Sequence, residues 1–155
     1  MKKPKKITNH LNKILIINYE AEKIFLQALD QLENSVLKNF FRVSGYERNQ
    51  FIKYLDSNIR QNGAIPTYPA EALSSDSKLS SSLNEIISAK DEQRLLTEIG
   101  RMKLSNIEKY QKAINRVDFP EEIEQTLKKQ KDTIVKSLYS IEVHKDLFAK
   151  NIVSL

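Results

Sequence analysis

Residues 91–122 read DEQRLLTEIGRMKLSNIEKYQKAINRVDFPEE, and this stretch decides the fold. Leu96, Ile99, Ile107, Tyr110 and Ile114 keep to three- and four-residue steps, the mark of one buried helix face. Lys103 stands in the middle of that stripe. Asp91 suits the N-cap, with Glu92 in the positive first turn, and the periodicity runs to about Arg116. Val117-Asp118-Phe119-Pro120-Glu121-Glu122 then reads as a tight turn. Pro120 suits a first helical position, and the two glutamates suit the positive helix end. A further helix follows to about Ala149, with Ile123, Leu127, Ile134, Leu138 and Ile141 on its inner face and Gln130 among them. Two long helices joined by a short turn pack antiparallel.

The N-terminal half repeats the pattern. A first helix is expected from about Asn9 to Leu32, with Leu11, Ile14, Ala21, Phe25 and Leu32 inward and Asn18 near the centre of the stripe. A second is expected from about Ser35 to Gln61, with Leu37, Phe40, Phe41, Val43, Phe51, Tyr54, Leu55 and Ile59 inward. Asn62-Gly63 is its stop signal. Gly45 inside this helix costs about 1 kcal/mol against Ala, which close helix packing would explain. Helices of this length are rods of roughly 35–40 Å. The connection over 63–90 is long and holds Pro66 and Pro69. Leu79, Leu83, Ile86 and Ile87 within it predict a short extra helix with a solvated serine face. The expected architecture is all-α: a four-helix bundle with one long crossover. One domain over residues 9–149 is flanked by a disordered basic arm (1–8) and a tail (150–155).

Composition narrows the chemistry. With no Cys in 155 residues, disulfides, thiolate metal sites and Cys nucleophiles are excluded, which suits a reducing cytoplasm. The net charge is +5, and Lys2, Lys3, Lys5 and Lys6 carry four of those charges. Any nucleic-acid footprint is therefore expected in the arm. The run Ile14-Leu15-Ile16-Ile17 is too short for a signal sequence, and no stretch is apolar enough to span a membrane. His10 and His144 are the only histidines and are expected at the surface. No phosphate loop or metalloprotease helix motif occurs.

Each main helix sends a polar group inward: Asn18, then Glu47 with Gln50 one turn on, then Lys103, then Gln130. A buried charge costs several kcal/mol unless paired, so a shared polar layer is expected, with Glu47 and Lys103 as its ion pair. Such a layer can also serve simply to fix helix register.

Leu11-Asn12-x-x-Leu15 leading to Phe25, and Leu37-x-x-Phe40-Phe41 leading to Glu47-Arg48-Asn49-Gln50-Phe51, resemble the ferritin-like superfamily of the rubrerythrin and bacterioferritin type. So does Tyr110-x-x-Ala113 with the Asp118-Phe119-Pro120 turn. The likeness covers about residues 10–145 and is nearest to an uncharacterised bacterial branch, a domain of unknown function. It implies an up-down-down-up bundle. Di-iron members place a Glu on one helix and Glu-x-x-His on the next, twice over. By position these fall on Asn18, on Glu47 and Gln50, on Lys103, and on Gln130 and Thr133. Only Glu47 keeps ligand chemistry, and Lys103 puts positive charge where a metal would sit.

The resemblance thus points to a degenerate metal site. The first expectation is a non-catalytic bundle of unnamed function, in assembly or stress response, without a cofactor and able to pair with itself. One alternative is a residual oxidoreductase holding iron or another divalent metal on Glu22, Glu47 and Gln130. The other is DNA association through the lysine arm.

Overall fold

The computed structural model describes residues 3–69 and 77–149. It contains five helices: α1 (Lys3–Gln31), α2 (Ser35–Gln61), α3 (Ser77–Ser88), α4 (Glu92–Arg116) and α5 (Glu121–Ala149). Among the described residues there is no strand, and no helix is long and apolar enough to cross a membrane. Lys2 and the tail 150–155 lie outside the described residues.

The helix ends follow from local chemistry. The Asn34 side chain caps α2, accepting from the amides of Val36 (2.9 Å) and Leu37 (3.3 Å). Asp91 caps α4 through the Arg94 amide at 3.0 Å. At the end of α2, Gly63 takes φ +81, and the Gly63 and Ala64 amides return to the carbonyls of Arg60 and Ile59. Only Gly enters that backbone region without cost, which is why the stop signal lies there.

The beginning of α1 corrects the sequence reading. Residues 3–8 are helical rather than a disordered arm, and Asn9, the expected start, lies inside the helix. Pro4 is tolerated because a first-turn residue needs no amide partner. Ile7 then packs against the core, and the Thr8 hydroxyl donates to the Lys5 carbonyl at 3.1 Å.

Helices α1 and α2 pack as one hairpin, α4 and α5 as another, and α3 lies against α1 and α4. The crossover after α2 is tied to α1, where the Asn12 side chain accepts from the Thr67 amide (2.7 Å) and donates to the Ile65 carbonyl (3.2 Å). Leu83 and Ile86 of α3 are fully buried, as their spacing predicts, while the side chain of Leu79 lies outside the described residues.

The apolar core has two halves. One gathers Phe25, Phe41, Leu83, Ile86, Leu96 and Ile99. The other gathers Leu11, Leu15, Leu55, Ile59, Leu127 and Ile134. In sequence, α1, α2 and α4 each pass from one half to the other across a polar residue, Asn18, Arg48 or Asn106, while in α5 Gln130 lies between Leu127 and Ile134 of the second half.

The inner face of α2 is rotated from the expected one. Leu37, Phe41, Ser44, Gly45, Arg48, Ile52, Leu55 and Ile59 are buried. Phe40, Phe51 and Tyr54 are half-buried, and Val43 is exposed. Gly45 faces α1, but a Cβ there would sit 3.6 Å from Leu26 Cδ2 and 3.7 Å from Phe25 Cβ, ordinary contact distances. Close packing therefore does not require the glycine.

Candidate functional site

The middle of the bundle is a hydrogen-bonded layer built on a guanidinium. Arg48 is 2 % exposed, at the inward centre of α2. Its Nη1 donates to Asn18 Oδ1 at 3.1 Å and to Asn106 Oδ1 at 2.8 Å. Asn18 Nδ2 donates in turn to the Ile14 carbonyl (2.9 Å) and to the Tyr110 hydroxyl (2.8 Å). The Tyr110 hydroxyl donates to Gln130 Oε1 at 2.7 Å. The chain of donors runs from Arg48 through Asn18 and Tyr110 to Gln130. It thereby links α2, α1, α4 and α5.

A second buried cation lies beside it. Lys103 is 1 % exposed. Its Nζ donates to Ser44 Oγ at 3.2 Å and to Ser137 Oγ. It also sits over two rings, 5.0 Å from the centroid of Phe25 and 4.8 Å from that of Phe40.

The expected ion pair does not form. Among the described residues the cation–carboxylate pairs within 4.0 Å are Arg60–Asp56, Arg101–Glu98, Lys128–Glu124 and Lys145–Glu142. None includes Lys103 or Arg48. Glu47 lies on the flank of α2, half-buried, and lines a cleft between α2 and α5. Burial holds its carboxyl above the usual range, against the pull of Lys103 and Arg48. Lys103 meets the cost of burial through its proton. Desolvation, reinforced by the Arg48 charge, pushes its amine down to about 7. Burial lowers Arg48 only to about 10, so the guanidinium stays charged at neutral pH.

Of the residues expected in the layer, Asn18, Lys103 and Gln130 are there. Gln50 is exposed, because it lies two residues past Arg48 and so points away from the core. Thr133 is half-buried; its hydroxyl bonds back to the Lys129 carbonyl at 3.1 Å, and it faces the α2–α5 cleft. Glu22 accepts from Asn49 Nδ2 at 2.9 Å, apart from the central layer. His10 and His144 are both half-buried rather than on the open surface. Sequence reasoning missed Arg48, Asn106, Ser44 and Ser137. The signal for Arg48 was present, since Phe41, Ser44, Arg48, Ile52, Leu55 and Ile59 keep helical spacing once a cation is admitted to the stripe.

These residues do not fit a metal pair. A guanidinium has five N–H donors and no acceptor. The oxygens of Asn18, Asn106 and Gln130 that face the layer are already accepting from Arg48 or Tyr110. A divalent ion would have to displace a buried cation and gain no carboxylate in return. Among the described residues no group of three or more His, Asp or Glu side chains could hold a metal ion.

Fold and centre together define an all-α bundle with a buried, hydrogen-bonded cation layer. The chain belongs to the family described as Domain of unknown function (DUF2383), matched over residues 6–116. That span takes in Asn18, Arg48, Lys103, Asn106 and Tyr110, and ends where α4 ends. No curated protein and no solved structure matches it.

Proposed function

We propose that this protein is a non-catalytic bundle of the ferritin-like kind, in which a cation layer stands where di-iron ferritin-like proteins hold their metal pair. It works by binding and assembly, in the cytoplasm, in a structural or stress-related role. The carrying observation is Arg48, bonded to Asn18 and Asn106, with no carboxylate paired to it within 4.0 Å among the described residues. A polar layer of this kind fixes the axial register of four helices, because any slip strands buried donors and acceptors.

Helix direction supports the ferritin-like part of the reading. Asn34 at the start of α2 donates to Glu92 at the start of α4, at 3.2 Å, so these two ends meet. Phe25 lies beside Lys103 and Asn18 beside Tyr110, so α1 and α4 run oppositely. Together with the two hairpins and the long crossover, this order is up-down-down-up. Self-association has support in the exposed Val135, Tyr139 and Val143 on α5.

The test is an anaerobic titration of purified protein with Fe(II), followed by exposure to oxygen. The proposal expects no saturable uptake and no oxidation faster than in buffer. One or two Fe(II) bound per chain, lost on Glu47→Gln, would instead establish the oxidoreductase built on Glu22, Glu47 and Gln130.

A further inference from the structure

On the side of the bundle away from Lys103, a crevice of about 390 Å³ runs between α1 and α4. Its floor is apolar: Ile14, Ile16, Ile17 and Ala113. Its rim is basic: Lys13 from α1, and Lys109, Lys112 and Arg116 from α4. His10 and Glu20 complete the lining. The net charge outside the first six residues is only +1, yet four cations border this one crevice. The Lys13 and Lys6 charges add to burial in holding His10 below the usual imidazole range.

The antiparallel register orders the charges along the crevice. Seven residues back along α1, from Phe25 to Asn18, correspond to seven forward along α4, from Lys103 to Tyr110. Continuing that register sets Arg116 level with the His10–Lys13 end and Lys112 level with Ile16. Lys109 falls level with Glu20, which is 3 % exposed. Cations therefore border the crevice along its length, with Lys13 and Arg116 paired at one end and the isoleucine floor running from there between Lys112 and Lys109.

Size selects the class of occupant. His10 and Glu20 are ten residues apart, roughly 15 Å along the helix. The crevice's volume lies in the small-ligand range. Nucleic acid has no use for an isoleucine floor and is better served by stacking rings. A ligand with an anionic head and one flexible apolar chain matches both rim and floor.

We infer that the α1–α4 crevice binds a single-chain alkyl carboxylate, its head at the Lys13–Arg116 end with Lys112 next along the rim, and its chain along Ile14, Ile16 and Ile17. This site is separate from the central layer and does not depend on how that layer arose.

The test uses the full chain with labelled isoleucine methyls. The probe is sodium decanoate below its micellar range, with decanol as the neutral analogue and anionic phospholipid vesicles as the bilayer source of the same head charge. Decanoate should shift Ile14, Ile16 and Ile17 saturably and raise the titration midpoint of the His10 ring. Decanol should bind on the order of tenfold more weakly, and Lys13→Glu with Lys112→Glu should weaken decanoate by a similar factor. The free variant should keep its methyl dispersion, and the decanol comparison stands without it. Absence of saturation, equal affinity for decanol, shifts confined to the α2–α5 cleft, or binding to vesicles alone would overturn the inference. The same follows if an acidic helical peptide or a DNA duplex shifts these methyls and decanoate does not.

Discussion

Arg48 and Lys103 share one aromatic ring: the guanidinium carbon lies 5.8 Å from the centroid of Phe25 and the Lys103 ammonium nitrogen 5.0 Å from it. Two cations buried this close repel, and no carboxylate pairs with either among the described residues. The protein resolves the conflict unequally. Arg48, tied to two amide oxygens, keeps its charge, while Lys103 gives way toward the neutral amine. A lysine can make that adjustment near neutral pH and an arginine cannot.

Stability should therefore rise with pH above neutrality. Below about 7 the Lys103 amine is protonated in the folded and unfolded chain alike, and the full burial cost is present. Between about 7 and the ordinary 10.5, the unfolded chain holds a proton that the folded one has shed. Each pH unit in that window adds up to about 1.4 kcal/mol, and the gain stops above it. The raised Glu47 carboxyl acts in the opposite sense, at acidic pH, and the lowered Arg48 contributes only above about 10. Urea unfolding at pH 6.5 and 9 should give a higher midpoint at pH 9, and Lys103→Met should remove most of the difference.

Arg48 and Asn106 should be coupled. Arg48→Met removes a buried charge but leaves the Asn18 and Asn106 oxygens without their donor, at about 1–3 kcal/mol for each stranded group. Asn106→Leu takes one of those oxygens away. The double variant should be more stable than the sum of the single effects allows, by about 1 kcal/mol or more, in a double-mutant cycle of denaturation free energies. Strict additivity would count against a shared layer.

Two glycines should be replaceable with gain. A Cβ on Gly45 or Gly100 would meet nothing nearer than 3.6 Å. Both lie inside helices, so Gly45→Ala and Gly100→Ala should each stabilise by about 0.5–1 kcal/mol, read as a higher melting temperature. Destabilisation would mean that the helices cannot give even slightly at these contacts.

Much of the fold was legible because the helices punctuate themselves. Asp91 as a cap and Asn62-Gly63 as a stop both act as their chemistry dictates. Asn18, Lys103 and Gln130 declared themselves as polar residues in clean apolar stripes. The phase of α2 was not legible in the same way. Phe40, Phe51 and Tyr54 flank its true inner face, and their bulk drew the stripe off centre. With Val43 counted inward, Glu47 fell on the flank of the stripe and Arg48 outside it, so the cation that organises the layer was passed over. The expected Glu47–Lys103 pair rested on the rule that buried charges find partners. Here hydroxyls, aromatic faces and a lowered amine pKa do that work instead.

A hydrogen-bonded guanidinium fills the middle of the bundle, and its response to a divalent ion decides whether a metal pair can form there. The measurement is nitrogen-15 NMR of the Arg48 side chain during a Mn(II) titration. The Arg48 guanidinium signals should exchange slowly, be shifted by bonding to Asn18 and Asn106, and keep their intensity as Mn(II) is added. Loss of those signals at one or two equivalents of Mn(II), together with broadening of the Asn18 and Gln130 amides, would contradict a guanidinium-filled centre.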